Sequence, residues 1–196
     1  MIKKTTSRLL ILGISIFLGV ELLVRLLGLT DFPLYDANNS IGYILKPSQS
    51  GEFLNKNAWQ FNALSMQNDE EFLPDHNKVN TLLIGDSIVS GGNPLSKKDR
   101  LGFQLAKVLN QPVWSISSGS WALRNELTYL MLHPDVVKGV DHIIFILNSG
   151  DFGKASSWAC EFSHPRTYPL IASFYLFKRY IYIGREALVI LSRQKN

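Results

Sequence analysis

A single cysteine, Cys160, stands in a chain of 196 residues. One thiol forms no intramolecular disulfide and builds no cysteine-based metal site, and it leaves the redox compartment open. Its plain reading is a small, buried or half-buried hydrophobe. Histidine is almost as scarce. The four are His76, His133, His142 and His164, and no pair of histidines or carboxylates has ligand spacing, so no metal is expected. No glycine-rich phosphate loop is present either. Gly85 to Gly92 lacks both the Lys-Ser/Thr of a nucleotide-binding loop and the dinucleotide spacing, and no cofactor is expected. Basic charge is missing from the middle of the chain: residues 1–30 carry a net +3, residues 31–150 a net −3 and residues 151–196 a net +4. The positive excess therefore sits at two hydrophobic ends. That distribution excludes nucleic acid as a partner and suits a membrane carrying anionic lipid. Internal repeats and low-complexity tracts are also absent.

Lys3, Lys4 and Arg8 precede an uncharged run from Leu9 to Val20, which is 12 residues, the length of a signal-peptide core. Counting on to Leu27 gives 19 residues, close to the roughly 20 that a span needs. The two intervening charges, Glu21 and Arg25, are four apart and can pair on one helix face. No small-x-small cleavage site follows. An uncleaved single-pass anchor over residues 1–30 is therefore expected ahead of a cleaved signal or an amphipathic helix packed on the domain. Positive residues ahead of the span place the N-terminus in the cytoplasm and the body on the outer side of the cytoplasmic membrane.

Residues 31–78 are rich in Pro, Gly, Asn and Ser with short apolar runs, a lead-in of short strands and loops that would cover one side of a cleft. Strands then alternate with helices across residues 79–167. Apolar runs lie at Val79–Ile84, Pro112–Ile116 and His142–Leu147. Helical spacing runs through Leu101, Leu105 and Leu109, and again through Trp121, Leu123, Leu127, Leu130 and Met131. Apolar strands without alternation, separated by helices, predict a parallel sheet covered on both faces, an α/β doubly wound, three-layer αβα domain of the flavodoxin-like kind. Ligands in such folds sit beyond the carboxyl ends of the strands. Each of the three runs ends in a polar cluster: Gly85–Ser87, Ser117–Ser120 and Asn148–Asp151. Three such clusters would face one crevice.

A serine at a sharp strand-to-helix turn is held exposed, with backbone N–H groups able to meet an oxyanion. Gly85-Asp86-Ser87-Ile88-Val89-Ser90-Gly91 resembles the first block of the GDSL/SGNH hydrolases, with Ile88 where leucine is usual. Ser117-Ser118-Gly119-Ser120 is similar to the second block, and Leu147-Asn148-Ser149-Gly150-Asp151 to the third, normally Gly-x-Asn-Asp. The resemblance covers residues 79–152. It implies Ser87 as nucleophile and the Gly119 amide as an oxyanion donor. In the third block Gly150 takes the place of the family's oxyanion asparagine. Asn148, two residues earlier and facing the same way along an extended chain, is the expected replacement. The substrate class implied is an acyl ester, and resemblance to anchored members points to acyl groups on cell-surface polysaccharide.

The family's closing Asp-x-x-His block, which supplies the general base, occurs nowhere in this sequence. Without a base a serine hydroxyl is a poor nucleophile. His133 precedes Pro134 as a helix stop, His142 opens a strand at its amino end and His76 lies in the lead-in. His164 is left as the only histidine expected near the crevice. The family pattern also implies further chain after this point, carrying the missing block. Residues 168–196 mix aromatic and basic side chains, which fits a membrane-surface helix and a domain helix lacking its partner equally well. Two functions stay open: a serine esterase or O-acyl transferase, and a catalytically incomplete relative that binds a ligand at the membrane.

Overall fold

The computed structural model describes residues 2–193, with side chains from residue 7 to residue 185. The last three residues of the aromatic–basic tail lie outside the described residues. The protein is mixed α/β, with an N-terminal apolar helix and a three-stranded parallel sheet. Helix α1 (Ile2–Leu26) contains one stretch, Ser7–Leu26, long and apolar enough to cross a membrane, a test that a signal sequence also passes. Its apolar side chains face outward along that stretch. Two antiparallel hairpins follow, β1 (Tyr35–Asn38) with β2 (Gly42–Leu45) and β3 (Gln49–Phe53) with β4 (Asn57–Phe61). They bury Tyr43, Leu45, Trp59 and Phe61 on one face of each ladder.

The parallel sheet has the order β6-β5-β7, formed by β5 (Thr81–Gly85), β6 (Val113–Ser117) and β7 (His142–Ile146). All five residues of β5 are buried, because the strand is central and covered on both sides. Leu82 and Ile84 face a core completed by Tyr129 of α4 (Leu123–Leu132) and Val136 of α5 (Pro134–Lys138). Leu83 faces the other way, toward Val89 of α2 (Ser87–Ser90) and Leu105 and Ala106 of α3 (Leu101–Leu109). The outer edge of β6 is closed by the lead-in segment. The Gln67 amide donates to the Ser115 carbonyl at 2.7 Å, and the Asn68 side chain bonds the Ser115 amide and the Val113 carbonyl. Strand β7 reads from its sequence as a fully buried run, but His142 and Ile144 are exposed. It is an edge strand, and among the described residues no strand pairs with its outer side.

Helix α3 lies so close to β6 that a Cβ at Gly102 would fall 1.8 Å from the Ser115 hydroxyl oxygen. Gly102→Ala should lose roughly 1–3 kcal/mol by overpacking, which outweighs the roughly 1 kcal/mol that alanine gains in helix propensity. Thermal melts of Gly102→Ala and of Gly102→Ala with Ser115→Gly check this. The second change removes the obstructing side chain and should return part of the loss.

The chain closes on a long helix, α6 (Ala172–Arg193), whose first turn is capped from a distance. Glu21 of α1 accepts from the amides of Ala172 and Ser173 and from the Ser173 hydroxyl, each at 2.9 Å. A carboxylate at a helix N-terminus satisfies orphan donors and meets the positive end of the helix dipole. Arg25 pairs with Glu21 at 2.8 Å and also donates to the carbonyls of Pro169 and Leu170. The two charges that interrupt the apolar run thus join α1 to α6.

Candidate active site

The three polar strand ends lie side by side, because β5, β6 and β7 are parallel and in register, with Gly85 opposite both Ser117 and Ile146. At the end of β5 the chain turns directly into α2. A Cβ at Gly85 would meet Val89 Cγ2 at 2.7 Å and the Ile146 carbonyl at 3.0 Å, so only glycine lets the helix fold back over the strand. Buried Asp86 caps that helix, its Oδ1 accepting the Ile88 amide at 2.8 Å. Ser87 is the first helical residue and is exposed, and Val89 anchors the turn in the core. Among the described residues the Ser87 hydroxyl makes no hydrogen bond.

At the end of β6, the Ser117 hydroxyl accepts from the Gln67 side chain at 2.8 Å, while the buried Ser118 hydroxyl has no partner among the described residues. The Gly119 position is open, with nothing within 4 Å of where a Cβ would be. Its carbonyl accepts the Tyr43 hydroxyl at 2.6 Å and His164 Nε2 at 3.3 Å. Both hold the carbonyl and so fix the orientation of the Gly119–Ser120 peptide.

At the end of β7, Asn148 is fully engaged. Its Nδ2 donates to Asp86 Oδ2 at 3.0 Å and to Asp151 Oδ1 at 3.2 Å, and its Oδ1 accepts the Gly150 amide at 2.8 Å. Asp151 Oδ2 in turn accepts the Asn148 amide at 2.6 Å. In this arrangement Asn148 ties the β5 loop to the β7 loop, and both of its amide hydrogens go to carboxylates rather than toward Ser87.

His164 sits against the Gly119 loop, its ring 4.0 Å from that of Tyr43 and edge-on to Tyr35 at 4.9 Å. A carbonyl only accepts, so Nε2 carries the proton that goes to Gly119, while Nδ1 lies 3.0 Å from the Ser163 hydroxyl. Burial favours the neutral ring and lowers its pKa, with the Gly119 bond opposing and the Arg179 charge adding to the effect. His164 and Ser87 share no hydrogen bond.

Sequence reasoning misses Tyr43, Glu126 and the Asp86–Asn148–Asp151 connection. Tyr43 lies 76 residues before Gly119 and has no local signal. Glu126 has one: it is a charged residue one turn into a helix whose Asn125 and Tyr129 neighbours also turn inward. No family model and no curated protein matches the chain.

Proposed function

We propose that this chain is an acyl-ester hydrolase or O-acyl transferase of the GDSL/SGNH kind, with Ser87 as nucleophile. One observation carries the reading: an exposed serine opens a helix at the end of the central parallel strand, beside a second strand end whose Gly119 position is unobstructed. The β6-β5-β7 order, with helices against both faces, agrees with a three-layer, flavodoxin-like domain. Ser87 Oγ attacks the acyl carbonyl, the amides of Ser87 and Gly119 hold the oxyanion, and the alcohol leaves with the proton taken from Ser87. Water or an acceptor hydroxyl then takes the acyl group and gives up its proton, which returns to Ser87 Oγ as the ester bond to it breaks; ester groups of surface polysaccharide fit a domain held outside the cytoplasmic membrane.

Helix α1 is read as a retained anchor. Besides Glu21 and Arg25, the Leu26 carbonyl accepts Asn55 Nδ2 at 2.7 Å and the Gly28 carbonyl accepts the Leu54 amide at 3.1 Å. Cleavage after this helix would remove the cap of α6. Lys3, Lys4 and Arg8 put its N-terminus in the cytoplasm.

A second reading, a ligand-holding protein without turnover, is favoured by the Ser87 hydroxyl, which has no partner among the described residues. To act as base, His164 must first leave the Gly119 carbonyl. A fluorophosphonate probe on the purified full chain separates the two readings. Covalent labelling of the parent that disappears in Ser87→Ala, and weakens strongly in His164→Ala, is the expected result. Absence of label on a folded parent would sink the catalytic reading and leave the ligand-holding one.

A further inference from the structure

Helix α6 has two unlike faces. Ala172, Tyr175, Arg179 and Tyr182 look toward the body. The Tyr175 hydroxyl donates to the Glu161 carbonyl at 2.8 Å, the Tyr182 ring packs on Phe162, and the Arg179 guanidinium lies 5.3 Å from the Phe32 ring centre. These contacts fix the helix against rotation. Its opposite side carries Phe174, Phe177 and Ile181 at the i, i+3, i+7 spacing of a single stripe, and the exposed Leu170 lies two residues ahead of the helix. Leu170 is 95% exposed and Phe177 63%, and no described residue of the body covers either.

We infer that this stripe of α6 is seated in the surface of the lipid bilayer that α1 crosses, so that the body is held on the membrane by a helix in the interface plane as well as by a span. The inference rests on the reading of α1 as a retained anchor. What identifies lipid as the occupant is continuity. Arg25, one residue from the end of the candidate span, donates to the Leu170 carbonyl at 2.7 Å, so the stripe begins where α1 leaves the bilayer. Charge agrees with position. Lys178 and Arg185 flank the stripe, and the Lys178 ammonium lies 4.4 Å over the Phe174 ring, an apolar stem with a charged head that reaches anionic headgroups. Residues 151–196 hold a net +4. Exposed aromatic side chains beside cations are the composition of a helix at the lipid–water boundary.

The full chain is tested in vesicles of phosphatidylcholine and phosphatidylglycerol. The only native thiol is removed by Cys160→Ser, and an environment-sensitive fluorophore is placed in turn at Ile14→Cys, Leu170→Cys, Phe177→Cys, Arg185→Cys and Val108→Cys. The Arg185 site reads the same face while leaving every apolar residue of the stripe in place. Emission from positions 170, 177 and 185 should shift to the blue, with iodide quenching several-fold weaker than at position 108. Quenching at these three sites should come from a shallow nitroxide lipid, and at position 14 from a deep one. A lipid-buried probe at position 14 with positions 170, 177 and 185 as open to iodide as position 108 would overturn the inference and leave the anchor intact. A probe at position 14 that stays in water would overturn the anchor and this inference together. Burial of the stripe in native membranes but not in protein-free vesicles would assign it to a protein partner and overturn the lipid assignment.

Discussion

Asn125→Ala should destabilise the protein by roughly 3–5 kcal/mol, a loss expected only where a buried polar network is broken. The Asn125 side chain is buried and makes four hydrogen bonds. Its Oδ1 accepts the amides of Ala122 and Ser156 at 3.0 and 2.9 Å, and its Nδ2 donates to the carbonyls of Ile41 and Ser156. One amide thereby holds the first turn of α4, the turn before β2 and the loop after β7. Ala122, at the N-cap position of α4, has no side-chain acceptor of its own, so the reach of Asn125 back to its amide is what satisfies that end of the helix. Alanine leaves two donors and two acceptors without partners, each costing on the order of 1–3 kcal/mol if water does not enter. Asn125→Asp preserves the shape but turns an acceptor toward the two carbonyls, and it should be no milder. Denaturant unfolding of the three proteins decides this; a loss below about 1 kcal/mol for the alanine variant would show that the network contributes little.

The same helix shows where the sequence is hard to read. Its apolar spacing runs through Leu123, Leu127, Leu130 and Met131, yet Leu127 and Met131 are exposed while Asn125, Glu126 and Tyr129 are buried. Periodicity assumes that the apolar face turns inward. Here hydrogen bonds from Asn125, and from the Tyr129 hydroxyl to the Leu64 carbonyl at 3.0 Å, orient the helix instead. Tertiary polar contacts are invisible to a hydropathy pattern. Strand β5 is easier, because its unbroken Leu82-Leu83-Ile84 run calls for cover on both faces and the strand is buried from end to end. Edge exposure of β7 depends on what lies beside it, which its own residues do not encode.

In the site, the residues at the three strand ends are legible because parallel strands in register bring their carboxyl ends together. How those residues are wired is not. From the sequence Asn148 reads as an amide facing the oxyanion, but the outcome depends on two carboxylates, Asp86 and Asp151, one of them 62 positions away. Elimination alone puts His164 near the crevice. The structure sets it against the Gly119 carbonyl after β6 and two tyrosine rings of the hairpin β1–β2, contacts that leave no trace in the sequence around the histidine.

Glu126→Gln should make the protein more stable at pH 8 by up to about 3 kcal/mol while changing little at pH 5. Glu126 is fully buried, and neither carboxyl oxygen has a hydrogen-bond partner among the described residues. Burial first, and the charges of Asp151 and Asp86 after it, push its pKa up from the ordinary 4.5 to about 7. The sign follows from proton counts. As pH rises past 4.5 the unfolded chain releases this proton, but the folded protein keeps it until about pH 7. The folded state therefore binds more protons across that window, and stability falls as pH rises through it, levelling off above. Glutamine has the same shape and stays neutral throughout, so the variant lacks this penalty, and other titrating groups cancel in the difference between the two proteins. Thermal melts of parent and variant from pH 5 to pH 8 should diverge with rising pH; parallel curves would show that Glu126 ionises without cost and that its carboxyl reaches water. Helix α4 packs on the 3-10 turn Ser149–Phe152 that carries Asp151, the carboxylate to which Asn148 is bound, and this places the Glu126 carboxyl in the field of Asp151 and Asp86.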